Sequence, residues 1–221
     1  MTQFSKVLKI LEERFSRDLP AHIKEDPFRV LIGCILSART KDENTDKAYE
    51  ALFREFADAR SLAQADLLRI QALIKPVNYY KTKAKRIKEA ASFIIEKFKG
   101  RVPKSRKALM RIPGIGPKCA DIVLSYGFGK PTVAVDTHVE TVAKRLGVAP
   151  ERARYEEVKR AIEQATPLSL RARVNDLLVV FGREICHKNN PKCSVCPVFE
   201  FCVWEGKWKR VNAQRKAMKN P

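Results

Sequence analysis

The chain has 221 residues, of which 45% are hydrophobic, enough to bury a core in one large domain or two small ones. Its formal net charge is +19, from 44 Lys and Arg against 25 Asp and Glu, and this excess runs along the whole length. The charge exceeds what solubility needs, so it favours a polyanion as partner. No run of about 18 apolar residues occurs, which argues against a membrane-spanning helix. The first residues run directly into a helical pattern without a signal or transit peptide, so we expect a cytoplasmic protein.

Apolar spacing predicts a nearly all-α chain of about ten helices with short connections. A first helix begins near Phe4, and Asp26 with Pro27 supplies an N-cap and a first-turn proline for a second. The only strand-like run, residues 132–135, is too short to found a sheet and is better explained as a crossing between two helical lobes. From Lys207 onward the chain becomes a basic tail that we expect to be mobile at its end. Further helices are predicted around residues 48–56, 87–98, 139–146, 154–165 and 170–182.

An early bend, residues 74–83, interleaves basic and aromatic residues between two predicted helices. This composition suits insertion into a distorted DNA duplex, and it makes Tyr79 and Lys81 candidate DNA contacts. Tyr79 and Tyr80 could equally be residues that pack in the core.

A sharp turn between two predicted helices follows further along the chain. Ser105 can cap the first of these helices, and the run Pro113-Gly114-Ile115-Gly116-Pro117 must then reverse direction. Both glycines are expected to adopt positive φ, and Pro117 suits the first turn of the second helix. The N–H groups at this turn can bind phosphate oxygens. The segment therefore predicts a helix-hairpin-helix that grips the DNA backbone, although a plain turn between helices remains open.

Lys118 and Asp136 stand eighteen residues apart, each at the start of a predicted helix. The positive end of the helix dipole disfavours an ammonium at Lys118, so more of the nucleophilic neutral amine becomes available. A phosphate contact is an alternative role for this lysine. Asp136 lies in Val135-Asp136-Thr137-His138, where it could take part in chemistry or simply cap the helix.

Four cysteines fall within seventeen residues near the carboxyl terminus: Cys186, Cys193, Cys196 and Cys202. Thiols stay reduced in a cytosolic compartment, which disfavours disulfides and favours a metal centre. The spacing leaves a structural zinc site and an iron–sulfur cluster both open. Lys188 and Lys192 lie in the intervening loops, so we expect the centre to present positive charge outward.

Together these motifs closely resemble the endonuclease III family of DNA glycosylases, over about residues 20–205. The resemblance rests on Leu36-Ser37-Ala38, on Ile112-Pro113-Gly114-Ile115-Gly116-Pro117-Lys118, on Val135-Asp136-Thr137-His138 and on the C-x6-C-x2-C-x5-C spacing. It implies a [4Fe–4S] cluster on the four cysteines. It also implies an all-α fold with two helical lobes: a helical barrel with the helix-hairpin-helix over 23–131, and a second lobe from 1–22 and 132–221 with the cluster and the basic tail.

The same resemblance implies a bifunctional glycosylase and abasic-site lyase that removes oxidised pyrimidines in base excision repair. Lys118 would attack the sugar C1′ of the flipped nucleotide and form a Schiff base, while Asp136 would help to deprotonate the lysine and stabilise developing positive charge. β-Elimination would then cut the strand 3′ to the lesion. The expected partner is double-stranded DNA with damaged pyrimidines or abasic sites, lying across the cleft between the lobes of a nucleoid-associated monomer.

Four positions test how far the resemblance extends. Arg39 follows Leu36-Ser37-Ala38 where the family commonly has a glutamine that fills the gap left by the flipped base, so Arg39 is a candidate DNA contact that could change the accepted opposite base. Tyr79 replaces an aliphatic wedge residue, and Cys119 replaces a small hydroxyl residue beside the nucleophile. Cys34 stands where the adenine-excising relative needs a carboxylate, which argues against adenine excision.

The same residues leave two other interpretations open. Relatives that act on thymine or uracil mispaired with guanine usually lack the hairpin lysine, so Lys118 counts against that substrate. A non-catalytic DNA-binding adaptor would use the hairpin and the cluster only for backbone contacts. It gives no reason for Lys118 and Asp136 to occur together.

Overall fold

The computed structural model describes residues 2–16 and 25–219, and within these ranges it contains helices and short helical turns but no β-strand. The predicted all-α fold class is confirmed, with twelve α-helices in the described ranges where the spacing predicted about ten. No helix in the described part of the chain is long and apolar enough to cross a membrane. The helices are α1 (Gln3–Phe15), α2 (Pro27–Ser37), α3 (Asp42–Glu55), α4 (Ala59–Gln64), α5 (Leu67–Leu73), α6 (Tyr80–Phe98), α7 (Arg106–Leu109), α8 (Pro117–Ile122), α9 (Thr137–Arg145), α10 (Tyr155–Ala165), α11 (Arg171–Glu184) and α12 (Gly206–Lys219).

The chain divides into two compact units with separate hydrophobic cores. One unit is Ile23–Lys130 and is called here the hairpin unit, because it contains the glycine-rich turn. The other joins Met1–His22 to Pro131–Pro221 and is called the cysteine unit. Each unit therefore holds part of the candidate functional residues on its own scaffold.

In the hairpin unit, α2 is held by a capping residue at its start and by a helical turn that packs against it. Asp26 caps it as predicted, with Oδ1 accepting hydrogen bonds from Phe28 N and Arg29 N at 3.0 Å each. A π-helical turn, Val123–Gly127, continues α8 and packs against α2. A Cβ at Gly127 would lie 2.9 Å from Pro27 Cα, so only glycine permits this approach. This approach packs α8, the helix that carries Lys118, against α2.

In the cysteine unit, α11 packs against α9 and α1. Gly182 of α11 allows the contact with α9, because a Cβ there would meet His138 Cβ at 2.8 Å. The run 132–135, which was expected to cross between lobes, is non-helical and has Val133 fully buried. It leads directly to Asp136 at the start of α9, so the position of Asp136 is set by a buried segment.

The basic tail begins with a helix that the sequence did not predict. Residues 206–219 form α12, and mobility was predicted only for the end of the tail. The last two residues, where that mobility was expected, lie outside the described residues. The contacts that hold α12 come from the cysteine loop and are described below.

Candidate active site and cysteine centre

The glycine-rich turn forms the predicted hairpin between α7 and α8. Ser105 caps α7, its Oγ accepting a hydrogen bond from Ala108 N at 3.2 Å. Gly114 has φ +82°, in the left-handed region that favours glycine, as predicted. For Gly116 the prediction of positive φ was wrong: its φ is −93° and its ψ −177°, an extended conformation open to any residue. A Cβ at Gly116 would meet nothing within 4 Å, so the missing side chain leaves the backbone open to a ligand.

A buried ion pair that the sequence did not reveal holds the two hairpin helices together. Arg106 Nε of α7 donates to both carboxylate oxygens of Asp121 in α8, at 3.0 and 3.1 Å. The Asp121 side chain is fully buried, where an unpaired carboxylate would be costly. The pair therefore fixes the spacing of α7 and α8, and with it the start of α8.

Lys118 is the second residue of α8 and its side chain is exposed. The next residue, Cys119, is hydrogen bonded to Cys34 of α2. That bond lowers the pKa of the Cys119 thiol to about 7, against the effect of burial and with a further contribution from the Lys118 ammonium. The same bond and burial raise the pKa of Cys34 well above its usual value. The candidate nucleophile thus follows the hairpin turn beside Cys119, whose partner Cys34 is buried, and is itself open to solvent.

Asp136 caps α9, so the capping role weighed from the sequence is confirmed. Its Oδ1 accepts from His138 N at 2.9 Å and from Val139 N at 2.8 Å. The other carboxylate oxygen, Oδ2, accepts no hydrogen bond from the described residues, and the residue is only half-buried. One oxygen is anchored and the other is available, which allows a second role besides capping.

Arg39 and Tyr79 lie in two adjacent loops of the hairpin unit. Their φ values are 53° and 58°, left-handed conformations that cost a non-glycine residue about 1–3 kcal/mol each. Tyr79 is 66% exposed, so it does not pack in the core, whereas Tyr80 packs against the core. Lys81 is exposed on the first turn of α6. The two loops are joined by Asn78, whose Nδ2 donates to Arg39 O at 2.5 Å.

The four C-terminal cysteines line one small cavity, together with Arg145, Lys192, Trp204 and Lys207. Among the described residues no carboxylate lines this cavity, and burial raises the pKa of Cys196 to about 12. Among the described residues, no group of three or more His, Cys, Asp or Glu side chains is arranged to hold a single metal ion. A set of thiols around one cavity with cationic neighbours fits a thiolate-ligated group, because thiolates bring negative charge into a buried place.

Arg145 of α9 connects Asp136's helix to the cysteine loop, and sequence reasoning missed it. Its guanidinium donates to the carbonyl oxygens of His187 at 2.9 Å and Lys188 at 2.7 Å. It also approaches Cys186 Sγ at 3.4 Å and lies 4.2 Å from the centre of the Trp204 ring. These contacts fix the loop that follows Cys186. An arginine near a helix end carries no sequence signal for such a role.

Lys188 and Lys192 are both exposed in the cysteine loop. Lys188 lines a cavity of about 310 Å³ with Thr137, the residue after Asp136. Lys192 borders the cysteine cavity, and its backbone N donates to Ile185 O at 2.8 Å. The predicted outward positive charge of this loop is therefore present, on a backbone that is held in place.

α12 lies across the cysteine loop through side-chain hydrogen bonds to loop backbone groups. Lys207 Nζ donates to Cys202 O at 2.5 Å, and Arg210 donates to Asn189 O at 2.6 Å. Gln214 bonds the loop twice, accepting from Ser194 N at 3.1 Å and donating to Pro191 O at 2.9 Å. Three polar side chains thus anchor a helix that has no strong apolar face.

Comparison with known proteins gives consistent results. The profile of the "HhH-GPD superfamily base excision DNA repair protein" family matches residues 32–168. Endonuclease III of Thermotoga maritima is 43% identical over 190 residues, covering 86% of this chain and 87% of that protein. A trapped endonuclease III–DNA covalent intermediate aligns with a TM-score of 0.84 at 31% identity, covering 95% of this chain and 99% of the other. A thermostable thymine-DNA glycosylase aligns with a TM-score of 0.82 at 26% identity, covering 92% and 96%.

Proposed function

The chain belongs to the endonuclease III family within the HhH-GPD base excision repair superfamily, and on that premise we propose that it removes oxidised pyrimidines from DNA through a Schiff base on Lys118. The protein is a DNA glycosylase with lyase activity at abasic sites, and double-stranded DNA is its partner. The lesion class, the nucleophile and the bond that is cut are the parts proposed here. We further propose that it acts as a monomer associated with the nucleoid.

The observation that carries the proposal is the placement of Lys118. An exposed amine at the second residue of α8 directly follows a turn whose N–H groups can hold a DNA phosphate. Holding the backbone and the nucleophile on one rigid hairpin brings the amine to a fixed place along the strand, which reduces the entropy cost of attack. The Arg106–Asp121 pair supports this rigidity.

The proposed reaction begins when the damaged nucleotide is turned out of the duplex. The neutral amine of Lys118 attacks C1′, the glycosidic bond breaks, and the base leaves with its electron pair and a proton. The sugar ring opens to give an imine between Lys118 Nζ and C1′. Loss of a proton from C2′ then expels the 3′ phosphate, which cuts the strand by β-elimination.

Asp136 is proposed to assist the attack of Lys118 on C1′ and the release of the base. Its anchored Oδ1 fixes the orientation of the carboxylate, and Oδ2 is left to accept the lysine proton or to face the positive charge that develops on the sugar. A carboxylate held by two backbone N–H groups needs little reorganisation when charge develops. This preorganisation is the physical basis for the role.

Cys186, Cys193, Cys196 and Cys202 are proposed to hold a [4Fe–4S] cluster. The group would supply a rigid cross-link between segments of the loop, and its ligation would convert buried thiols to thiolates. Arg145 and Lys207 stand where they can offset that negative charge. Lys188 and Lys192 would then be presented to DNA phosphates by a folded loop. Gly114, Gly116, Arg39, Tyr79 and Lys81 are the DNA contacts proposed in the hairpin unit.

The test is covalent trapping with borohydride, which reduces an imine to a stable amine. Wild-type protein incubated with a duplex containing thymine glycol should become cross-linked to DNA. Lys118→Gln should abolish the cross-link while the affinity for undamaged duplex stays within about threefold, since the hairpin and the spread charge still bind phosphates. Persistent trapping in Lys118→Gln would place the nucleophile elsewhere. Loss of affinity without any wild-type trapping would reduce Lys118 to a phosphate contact.

A further inference from the structure

Lys83 in the first turns of α6 is a buried lysine to which the mechanism above gives no role. Only 4% of its surface is exposed, and burial lowers its pKa to about 8. Its ammonium donates to Leu36 O at 2.7 Å and to Thr40 Oγ1 at 2.7 Å, both neutral acceptors. No carboxylate in the described ranges forms an ion pair with it. Burying a cation on neutral acceptors is costly, so such a group is a candidate for a function beyond stability.

Lys83 belongs to a set of hydrogen bonds that joins two loops distant in sequence. Thr40 Oγ1 accepts from Lys83 Nζ and also from Asn78 N at 3.2 Å. Asn78 in turn bonds Arg39 O through its side chain. We call Lys83, Thr40 and Asn78 the clasp. It ties the connection between α2 and α3 to the connection between α5 and α6.

The two residues held by the clasp are the ones with strained backbones and exposed side chains. Among the described residues only three non-glycine residues have positive φ, and two of them are Arg39 and Tyr79. Arg39 directly precedes Thr40, and Tyr79 directly follows Asn78. Strained conformations persist only where surrounding contacts fix them, and here the clasp supplies those contacts.

We propose that Lys83 is a positioning residue that presets Arg39 and Tyr79 together for insertion into the DNA duplex at the lesion. This inference rests on the proposed function, because it takes Arg39 and Tyr79 as DNA contacts. From the first turns of α6 the Lys83 ammonium fixes Thr40, and Asn78 bonds both Thr40 Oγ1 and Arg39 O. The two loops are thereby held together, so that neither side chain has to be ordered separately when DNA binds. Preset side chains reduce the entropy cost of binding, and the gain applies only to DNA with a gap to fill.

Lys83→Met tests this inference, since methionine keeps an unbranched chain and removes the charge and the donors. The affinity for a duplex with a tetrahydrofuran abasic analogue should fall about tenfold, while the affinity for undamaged duplex stays unchanged. The single-turnover rate of strand cleavage at saturating protein should change less than twofold on a preformed abasic site. The fluorescence of a 2-aminopurine placed opposite the analogue should rise less on binding of the variant than on binding of wild type, because fewer side chains enter the base stack.

Two further variants separate positioning from charge and from folding. Thr40→Val removes the shared acceptor without removing a charge, and it should reproduce the loss of specific affinity. Lys85→Met removes an exposed lysine two residues further along α6 and should lower both affinities equally or not at all. Thermal unfolding checks that each variant is folded. If Lys83→Met does not fold, the affinities of Thr40→Val decide whether the clasp has a positioning role.

The outcomes distinguish this inference from the proposed function. If wild type is trapped by borohydride but Lys83→Met and Thr40→Val keep its ratio of specific to undamaged affinity and its 2-aminopurine signal, the clasp has no positioning role. Equal losses on both duplexes would likewise overturn the inference and leave only a charge effect. If wild type itself is not trapped, the proposed function fails, whereas the clasp is still judged by the two affinities and the 2-aminopurine signal.

Discussion

At the residue scale, Asp136 combines the capping role that the structure shows with the chemical role that we propose for it. The cap uses Oδ1 alone, and the two N–H donors lie at 2.8 and 2.9 Å. The cap therefore explains why a capping residue stands at position 136, before α9. It does not explain why that residue is an acid, because asparagine or serine would also cap the helix. The charge is what distinguishes aspartate from those residues, and charge is what a developing cation requires.

Asp136→Asn separates these two roles. Asparagine caps a helix almost as well as aspartate, so the unfolding temperature should stay close to that of wild type. Base release from a thymine glycol duplex should slow by two or more orders of magnitude, roughly the size found when a positioned charge is removed from an active site. Asp136→Ala is the matched variant, because it should slow base release similarly and also lose about 1 kcal/mol of stability. Near-normal base release by the asparagine variant would leave Asp136 as a cap only.

The roles of residues that follow local rules could be predicted from the sequence, and the roles that depend on tertiary contacts could not. The caps at Asp26 and Ser105 obey preferences that depend on a few neighbouring residues. Gly116 was assigned a positive φ because glycine permits it, yet its role in the structure is to leave space. Lys83 could not be identified as buried, since lysines are almost always exposed and its acceptors lie more than forty residues earlier.

At the element scale, α12 shows how a helix can form without the apolar pattern that predicts one. Its side chains are polar or basic on most faces, so sequence reasoning favoured a tail. Backbone carbonyl oxygens and an N–H of the loop beside it bond to side chains of α12, namely Lys207, Arg210 and Gln214. The helix and the cysteine loop therefore stabilise each other.

Gln214→Ala tests this dependence because Gln214 makes two hydrogen bonds to the loop. Each such bond contributes about 1 kcal/mol, so the loop should open more often, and the proposed cluster should lose iron to a chelator several-fold faster than in wild type. The decay of the visible absorbance that such a cluster would give measures that rate. Lys209→Ala is the control, since Lys209 is exposed on the same helix and should not change the rate. Equal decay in both variants and wild type would mean that α12 does not hold the loop.

At the scale of the whole molecule, a charge of +19 raises the question of whether DNA is held by the overall field or by particular lysines. Charges separated by more than the Debye length, about 8 Å at physiological salt, act nearly independently when exposed. Helix α6 offers a comparison within one element, because Lys81 lies on its first turn and Lys97 on its last, both exposed. Sixteen residues of helix place them about 24 Å apart, three Debye lengths.

Lys81→Gln and Lys97→Gln remove the same charge from opposite ends of α6, and they should differ. A lysine that contacts a phosphate releases a counterion on binding, so its loss should lower the slope of log affinity against log salt by about 0.9. We expect that decrease for Lys81→Gln, two residues after Tyr79, and almost no change for Lys97→Gln. Titrations of an abasic-analogue duplex at four or more salt concentrations measure both slopes. Equal decreases would show that net charge rather than position governs binding, and would remove Lys81 from the DNA contacts proposed here.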